Sequence, residues 1–544
     1  MSADKKLFNH NIFLIKQGYT TSDLVLNKGA CDPAIKVQIP GCGAGQLFIK
    51  KTHPTPPKWA SLFGEYLDLA MLAVPGVSAA FFIQVNGRCF VLAFGQGGRF
   101  LLKDDVYEER FGLLCALNSV DPESFRCVDV QSLDAIQSHT RIQSGQATTP
   151  DQFGLDVEQD MLKAIVGAPL DEALGTRMAG SDSLSVAVKM SLSDLPFLLD
   201  EYRKKFEADL SANDHQWVNN ISITKSTAVI VDLEKALDAK LVAKDFKDIW
   251  LSIPEIINWA TVQGFMFMHG GKEVHPDITL NGFLKTVGVG TTLSLDLFRQ
   301  RKVYCADAEH KRVLNAWPVF KCLYAEIDLN EKKYILNDGK WFTVAMDFVA
   351  KTNADFSKIP ASKLELPEYK GGGEGTYNAD VAKTEPELYA LLDDTKKIMH
   401  GGGYGQVEIC DLLSIDGELI HVKMYGKSSV FSHLFAQGFV SGQLIQIDPE
   451  FRQKVRGQLV APFINLIRVD EKPTQDELTI VYAVISNAKE KNLYLPFFSR
   501  VNANNATKVL KGYGYKVELL KIGVDEMHSK TTKIPPKKKS KKAA

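Results

Sequence analysis

The chain predicts a mixed α+β protein of several domains, on three observations. Its 544 residues exceed one ordinary core, given domains of roughly 100 to 200 residues. Asn86-Gly87 and Asp416-Gly417 each stand between β-forming runs, and such pairs mark hairpins because a primed turn requires positive φ at its central residues. After residue 373 the apolar pattern switches between helical and strand period, giving helix, three strands, helix, strand, and then a further helix and strand. The N-terminal part therefore reads as α+β with hairpins and the C-terminal part as an α/β layer.

In chain order, residues 8–16 and 46–50 read as strands and 59–73 as a helix. Residues 79–103 form the clearest hairpin of this half, turning at Asn86-Gly87. Gly95 to Gly98 reads as a strand-to-strand turn, because no Lys-Ser/Thr follows and no helix opens there. Residues 156–166 read as an amphipathic helix, 183–190 as extended and 192–212 as a charged helix. Helices are expected at 232–244 and 251–261, then strand-like alternation over 282–298 and 316–348, with a turn at Asn337-Asp338-Gly339-Lys340. Residues 360–373, with two prolines and three closing glycines, read as a linker. Beyond it come a helix at 375–383, a strand or helix at 388–393, a hairpin at 405–424, and a helix at 429–446. A doubly buried strand at 478–485, a helix at 497–511 and a strand at 515–522 complete the order. The expected division is 1–215 (α+β), 216–359 (α+β), the linker 360–373, a domain at 374–528 and a disordered basic tail at 529–544.

Composition narrows the function. Hydrophobic residues make up 45% and charged residues 24% of the chain, as in globular proteins. No apolar run reaches the length of a bilayer span and no signal peptide is visible, so a cytoplasmic protein without membrane contact is expected. The eight cysteines are scattered without a Cys-x-x-Cys pair, which argues against structural zinc and a disulfide framework. A net charge of −1 excludes coating nucleic acid by bulk charge and leaves only local patches. Arg99, Arg110 and Arg141 are isolated candidates for phosphate contact.

Polar groups concentrate at 405–442 in a way that a sheet interior does not ordinarily require. Glu408, Asp411, His421 and Lys423 lie on the hairpin, and His433, Gln437 and Ser441 recur at i, i+4 and i+8 on an otherwise apolar helix, a single polar stripe. A two-residue turn at Asp416-Gly417 makes paired positions sum to 833. Glu408 then shares a face with His421 and Lys423, whereas Asp411 faces the other way unless a bulge intervenes, so both acids remain candidates.

The C-terminal succession, with Glu374 on the first helix, Asp411 on the second strand and Lys423 on the third, resembles the PD-(D/E)XK nuclease fold. That resemblance implies metal-assisted phosphodiester hydrolysis. Carboxylates hold Mg²⁺ or Mn²⁺, which polarises phosphate and lowers the pKa of bound water, while the lysine orients that water or steadies charge. Carried onto this sequence, Glu374, Asp411 or Glu408, and His421 hold the metal, Lys423 assists hydrolysis, and Gln437 with His433 and Ser441 positions the phosphate. The sequence departs from the pattern at His421, where the family has Asp or Glu two residues before the lysine. Imidazole favours softer ions than Mg²⁺.

The whole chain also resembles a sporadically distributed, uncharacterised bacterial family of about this length. The resemblance rests on Arg110-Phe-Gly-Leu with Leu117-Asn118, Phe153-Gly-Leu-Asp156, Ala179-Gly-Ser-Asp182, Asn337-Asp-Gly-Lys-Trp341, and Ile420-His-Val-Lys423 with 432–438. Sporadic distribution implies a transferred defence system, either restriction or anti-phage. Two functions are therefore expected: a metal-dependent nuclease acting on DNA or RNA, or a non-catalytic nucleic-acid or phage-protein sensor or scaffold on the same fold. A partner subunit or a second copy is possible in either case.

Overall fold

A computed structural model describes residues 5–525 except 30, 96, 104, 133–138, 154, 156–159, 211–214, 256, 258–261, 272, 289, 308–312, 393–397, 400–405, 426–427 and 489–492. The basic tail expected at 529–544 lies outside the described residues. The protein is mixed α+β, and its backbone divides near residue 220 into two compact units.

The first unit is built on one antiparallel sheet. Its elements are β1 (Lys6–Leu14), α1 (Ser22–Val25), β2 (Ile35–Ile39), β3 (Gly43–Lys51), β4 (Val77–Val85), β5 (Arg88–Phe94), α2 (Phe111–Leu117), β6 (Phe125–Ser132), β7 (His139–Thr148), β8 (Asp160–Gly167), β9 (Arg177–Gly180), β10 (Leu184–Met190) and α3 (Leu195–Glu207). Ten strands run in the order β2-β3-β4-β5-β1-β10-β9-β8-β6-β7. The β4–β5 hairpin turns at Asn86 (φ 46°) and Gly87 (φ 77°), the backbone that an Asn-Gly pair predicts. One sheet face packs Ile12, Leu14, Val186 and Val188 against Phe111, Leu113, Leu198 and Leu199 of the helices.

Two expectations fail in this unit. Residues 59–73 form two short 3₁₀ turns instead of a helix, and Leu62, Tyr66 and Met71 are more than 80% exposed, so the apolar stripe that would stabilise a helix has nothing to pack on. The expected helix at 156–166 is, where described, strand β8. Val130 of β6 pairs with Leu162 and Asp129 with Ala164, leaving Lys163 as a bulge. The bulge breaks the period-two alternation and mimics helical spacing.

The second unit comprises β11 (Ile221–Ile223), α4 (Thr227–Val242), β12 (Ile249–Leu251), β13 (Val262–Met266), α5 (Leu280–Thr286), α6 (Leu295–Gln300), β14 (Lys302–Asp307), β15 (Val313–Pro318), β16 (Leu323–Leu329), β17 (Lys332–Asn337), β18 (Lys340–Val344) and α7 (Met346–Ser357). It continues with α8 (Glu374–Thr384), β19 (Tyr389–Leu391), β20 (Ile398–Met399), β21 (Gln406–Val407), β22 (Leu412–Ser414), β23 (Glu418–Met424), α9 (Ser428–Ile447), α10 (Pro449–Arg456), β24 (Thr479–Ile485), α11 (Phe497–Gly512) and β25 (Lys516–Ile522). The expected helix at 251–261 starts instead on strand β12. The expected strands at 282–298 are helices α5 and α6, each capped by a hydroxyl: Thr279 accepts from the Gly282 N–H and Ser294 from the Leu297 N–H. Such caps favour a helix start over the β-propensity of the residues that follow.

The C-terminal sheet runs β19-β22-β23-β24-β25. The first two pairings are antiparallel and the last two parallel. Helix α8 contributes Tyr377 and Val381 to one face, with Ile420, Val422, Val481 and Ala483. Phe431 and Leu434 of α9 and Leu510 of α11 cover the other, with Ile480, Tyr482 and Val484. Both faces of β24 are thus buried, as its unbroken apolar run requires. Residues 360–373 follow the outer edge of β25, bridging Ala361 to Leu519 and Tyr369 to Val524. Gly371, Gly372 and Gly373 then take φ of 100°, 91° and 95°, a turn open to glycine that delivers Glu374 to the start of α8. No helix among the described residues is long and apolar enough to cross a membrane.

Candidate active site around Lys423

The hairpin that carries the site is one residue longer in its loop than the Asp-Gly pair suggests. Leu412 pairs with Ile420 and Leu413 with Leu419, so positions sum to 832. Only Gly417 of the turn is left-handed (φ 87°), as in a three-residue loop closing on a glycine. Asp411, just before β22, turns its carboxylate toward α8. Its Oδ2 accepts from the Val422 N–H at 2.6 Å, and its Oδ1 from Asn378 Nδ2 at 3.2 Å. Asp411 and Asn378 are both buried, so this carboxylate ties the last turns of β23 to the first helix.

Glu374 clasps the end of the same strand. Its Oε2 accepts from Lys423 Nζ at 3.0 Å and its Oε1 from the Met424 N–H at 2.8 Å. Burial alone would lower the Lys423 pKa, but the Glu374 hydrogen bond and the charges of Glu374, Asp411 and Glu408 outweigh it and raise the pKa. The ammonium therefore keeps its proton in the field of three carboxylates. The Lys423 side chain is 17% and that of Glu374 31% exposed, which leaves the pair open to a ligand.

His421 stands on the α9 side of the strand, fully buried beside Tyr482, with ring centroids 6.1 Å apart. Burial, helped by the Lys423 charge, lowers its pKa to about 3. Neither ring nitrogen has a hydrogen-bond partner among the described residues. Glu408 also reaches the α9 side, where its Oε2 accepts from Gln437 Nε2 at 2.8 Å. The rest of the helical stripe separates: His433 is exposed, and the buried Ser441 hydroxyl donates to the Gly438 carbonyl of its own helix at 3.3 Å. Helix α9 can approach the sheet this closely because Gly438 carries no side chain: a Cβ there would fall 2.6 Å from the Tyr482 ring.

Lys423 thus gathers Glu374, Asp411 and Glu408, with Gln437 behind Glu408, while His421 lies inward and His433 and Ser441 lie apart. As arranged, these donors are not a metal cage: among the described residues no three His, Cys, Asp or Glu stand where they could hold an ion. The carboxylates of Glu374 and Asp411 are occupied by the amine, the amide and backbone N–H groups named above.

A family model described as "Family of unknown function (DUF6119)" matches residues 10–523. The chain belongs to DUF6119. Comparison with curated proteins and with solved structures finds no match. In this DUF6119 member, two of the segments singled out in the sequence are structural. Arg110 (φ 57°) donates its N–H to Asp182 at 2.9 Å, and the Leu113 N–H donates to the Ser181 carbonyl at 2.7 Å. The Arg110 guanidinium donates to the Val218 carbonyl at 3.2 Å and Arg141 is paired with Asp129 at 2.5 Å, so neither arginine stands free for phosphate.

Sequence reading missed a second polar network in the same unit. The fully buried Glu326 accepts from the Phe497 N–H at the start of α11 at 3.1 Å and lies 3.7 Å from Lys333, while Tyr494 donates to Asp248 at 3.0 Å. Burial raises the pKa of Glu326 and of Asp248. Only the alternation of strand β16, which places Glu326 between Ala325 and Ile327, could have flagged a carboxylate turned inward.

Asp411→Asn offers a stability test of this geometry. The amide would present a donor to one of the two N–H groups that the carboxylate now accepts from, so a loss of about 2 kcal/mol in urea unfolding is expected. A variant within about 0.5 kcal/mol of the parent would show that the carboxylate does not hold the strand.

Proposed function

We propose that residues 374–525 form a nuclease-like domain that binds and hydrolyses phosphodiesters of DNA or RNA, within a bacterial defence system. The observation that carries this reading is the meeting of a helix acid, a strand acid and the strand lysine at one end of a sheet ordered helix, three strands, helix, strand. In this reading Lys423 is the group that meets the phosphate. Its ammonium is already charged and partly exposed, and an incoming phosphate oxygen replaces the Glu374 carboxylate as its partner. Asp411 keeps β23 in place through Val422 and Asn378. Glu374, once released, is a carboxylate beside Lys423 that can take a proton from water as the water oxygen bonds phosphorus and the P–O ester bond breaks, the leaving oxygen taking its proton from solvent. The donors at hand do not form a metal site in the present arrangement, so no step is drawn through an ion. Mg²⁺ and Mn²⁺ enter as conditions of the test.

A specific observation favours a second reading, a nucleic-acid or phage-protein sensor without hydrolysis. His421 occupies the motif-acid position as a neutral, buried imidazole. The two readings separate in one experiment on the full chain with labelled single- and double-stranded DNA and RNA, with Mg²⁺ or Mn²⁺. Hydrolysis predicts cleavage that Lys423→Ala reduces at least 100-fold, with unfolding unchanged. Retention of substrate without cleavage, lost in Lys423→Glu, selects the sensor. Neither cleavage nor binding sinks both.

A further inference from the structure

The first unit carries a cavity of about 610 Å³ on the sheet face opposite helices α2 and α3. Register explains why it exists. Asn11 pairs with Ala93 on one side and Ser185 on the other, and Ser185 pairs with Ala179. In the next row Asn9 pairs with Ala187, and Ala187 with Arg177. Alternation directs all of these side chains to one face. Because most are alanine or serine, the floor is low and space is left above it.

The walls are cationic. Arg99 is fixed: it donates to the Tyr107 hydroxyl at 2.8 Å and lies 4.7 Å from the Tyr107 ring centroid and 5.4 Å from that of Phe13. One hydrogen bond leaves most of its guanidinium N–H groups for a ligand. Arg177 is exposed and has no hydrogen-bond or ion-pair partner among the described residues. Among the described residues no carboxylate lines the cavity. Strand β5, which leads to Arg99, and β9, which carries Arg177, are separated by β1 and β10. That is three strand spacings, or about 14 Å.

We propose that this cavity binds a phosphorylated small molecule of nucleotide size, with the guanidiniums taking its anionic groups and Asn9, Asn11 and Ser185 bonding its polar body. Two unneutralised guanidiniums select an anion, and guanidinium geometry matches phosphate oxygens through paired N–H groups. The volume lies within the range of small-ligand sites, about 300 to 1,000 Å³. Carboxamides on the floor give hydrogen-bond donors and acceptors that a bare anion would not use. The assignment stands on the first unit alone and does not depend on nuclease activity.

The test is calorimetric titration of the full chain with AMP, ATP, adenosine, inorganic phosphate and an eight-residue oligothymidylate. AMP or ATP is expected to bind at least tenfold more tightly than adenosine or phosphate. Arg177→Glu and Ser185→Trp, both at exposed positions, are each expected to weaken that binding at least tenfold without altering thermal unfolding. Absence of nucleotide binding up to millimolar concentration overturns the proposal, as does binding retained in both variants. Phosphate binding as tight as nucleotide reduces the cavity to an anion site and also overturns it. So does oligothymidylate binding more tightly than either nucleotide, which would mark a polynucleotide groove.

Discussion

Gly180→Ala is expected to destabilise the first unit by about 3 kcal/mol or more, because the substitution forces a helix off a sheet. A Cβ at position 180 would lie 2.1 Å from the Gly112 carbonyl oxygen and 2.6 Å from the Ala116 Cβ. The reciprocal position is equally tight: a Cβ on Gly112 would fall 1.9 Å from the Ser183 carbonyl oxygen. Helix α2 is buried along its length, so relief requires the helix to move as a body and expose Phe111, Leu113 and Cys115. Against a typical total stability of about 5 to 15 kcal/mol, the loss should show as a large drop in urea midpoint or as insoluble protein. Gly145→Ala is the control, since a Cβ there meets nothing within 4 Å. The double variant Gly112→Ala/Gly180→Ala should cost less than the sum of its parts, because one displacement of α2 relieves both contacts. A Gly180→Ala midpoint equal to that of the control would mean that the helix does not sit on the strand at this distance.

This contact also shows what could and could not be read from the sequence. The segments around Gly112 and Gly180 stand out as strings, but nothing in either string says that they touch, since each close approach depends on a residue some 70 positions away. Elements governed by local chemistry were legible. Asn86-Gly87 set its hairpin, and the continuous apolar run of β24 announced a strand buried on both faces. The order of elements after residue 373 was legible for the same reason. Failure came where a distant partner overrides the local pattern. The bulge at Lys163 disguised β8 as a helix, and the β-branched character of residues 282–298 hid two helices whose Thr279 and Ser294 caps were present in the sequence. At the site, residue types and order pointed to Glu374, Asp411 and Lys423. Which face each acid takes is decided by residues 408–411, which precede the paired strand β22 and escape its alternation: the observed register alone would set Asp411 beside His421, yet its carboxylate turns to Asn378 and the Val422 N–H.

His421 should give the protein an acid sensitivity that its neighbours cannot mask. The imidazole has an ordinary pKa of 6.5 when the chain is unfolded and about 3 when folded, because burial, aided by the Lys423 ammonium, disfavours its charged form. Below pH 6.5 the unfolded chain therefore binds a proton that the folded chain refuses, so stability is present above 6.5 and is lost as pH falls toward 3. The slope is about 1.4 kcal/mol per pH unit. His421→Phe keeps an aromatic ring against Tyr482 and removes the titration. Between pH 6.5 and 4.5 the variant should gain about 2 kcal/mol relative to the parent, read as diverging urea midpoints. His10, which burial also holds low, titrates in both proteins and cancels in the difference. The variant should also be the more stable at pH 7.5, by about 1 to 3 kcal/mol, since two buried ring nitrogens without partners are exchanged for carbon. If the site cleaves phosphodiesters through the imidazole, His421→Phe should combine higher stability with loss of the cleavage that Lys423→Ala also abolishes. Parallel pH curves for parent and variant would show instead that the ring is solvated or bonded in the folded protein.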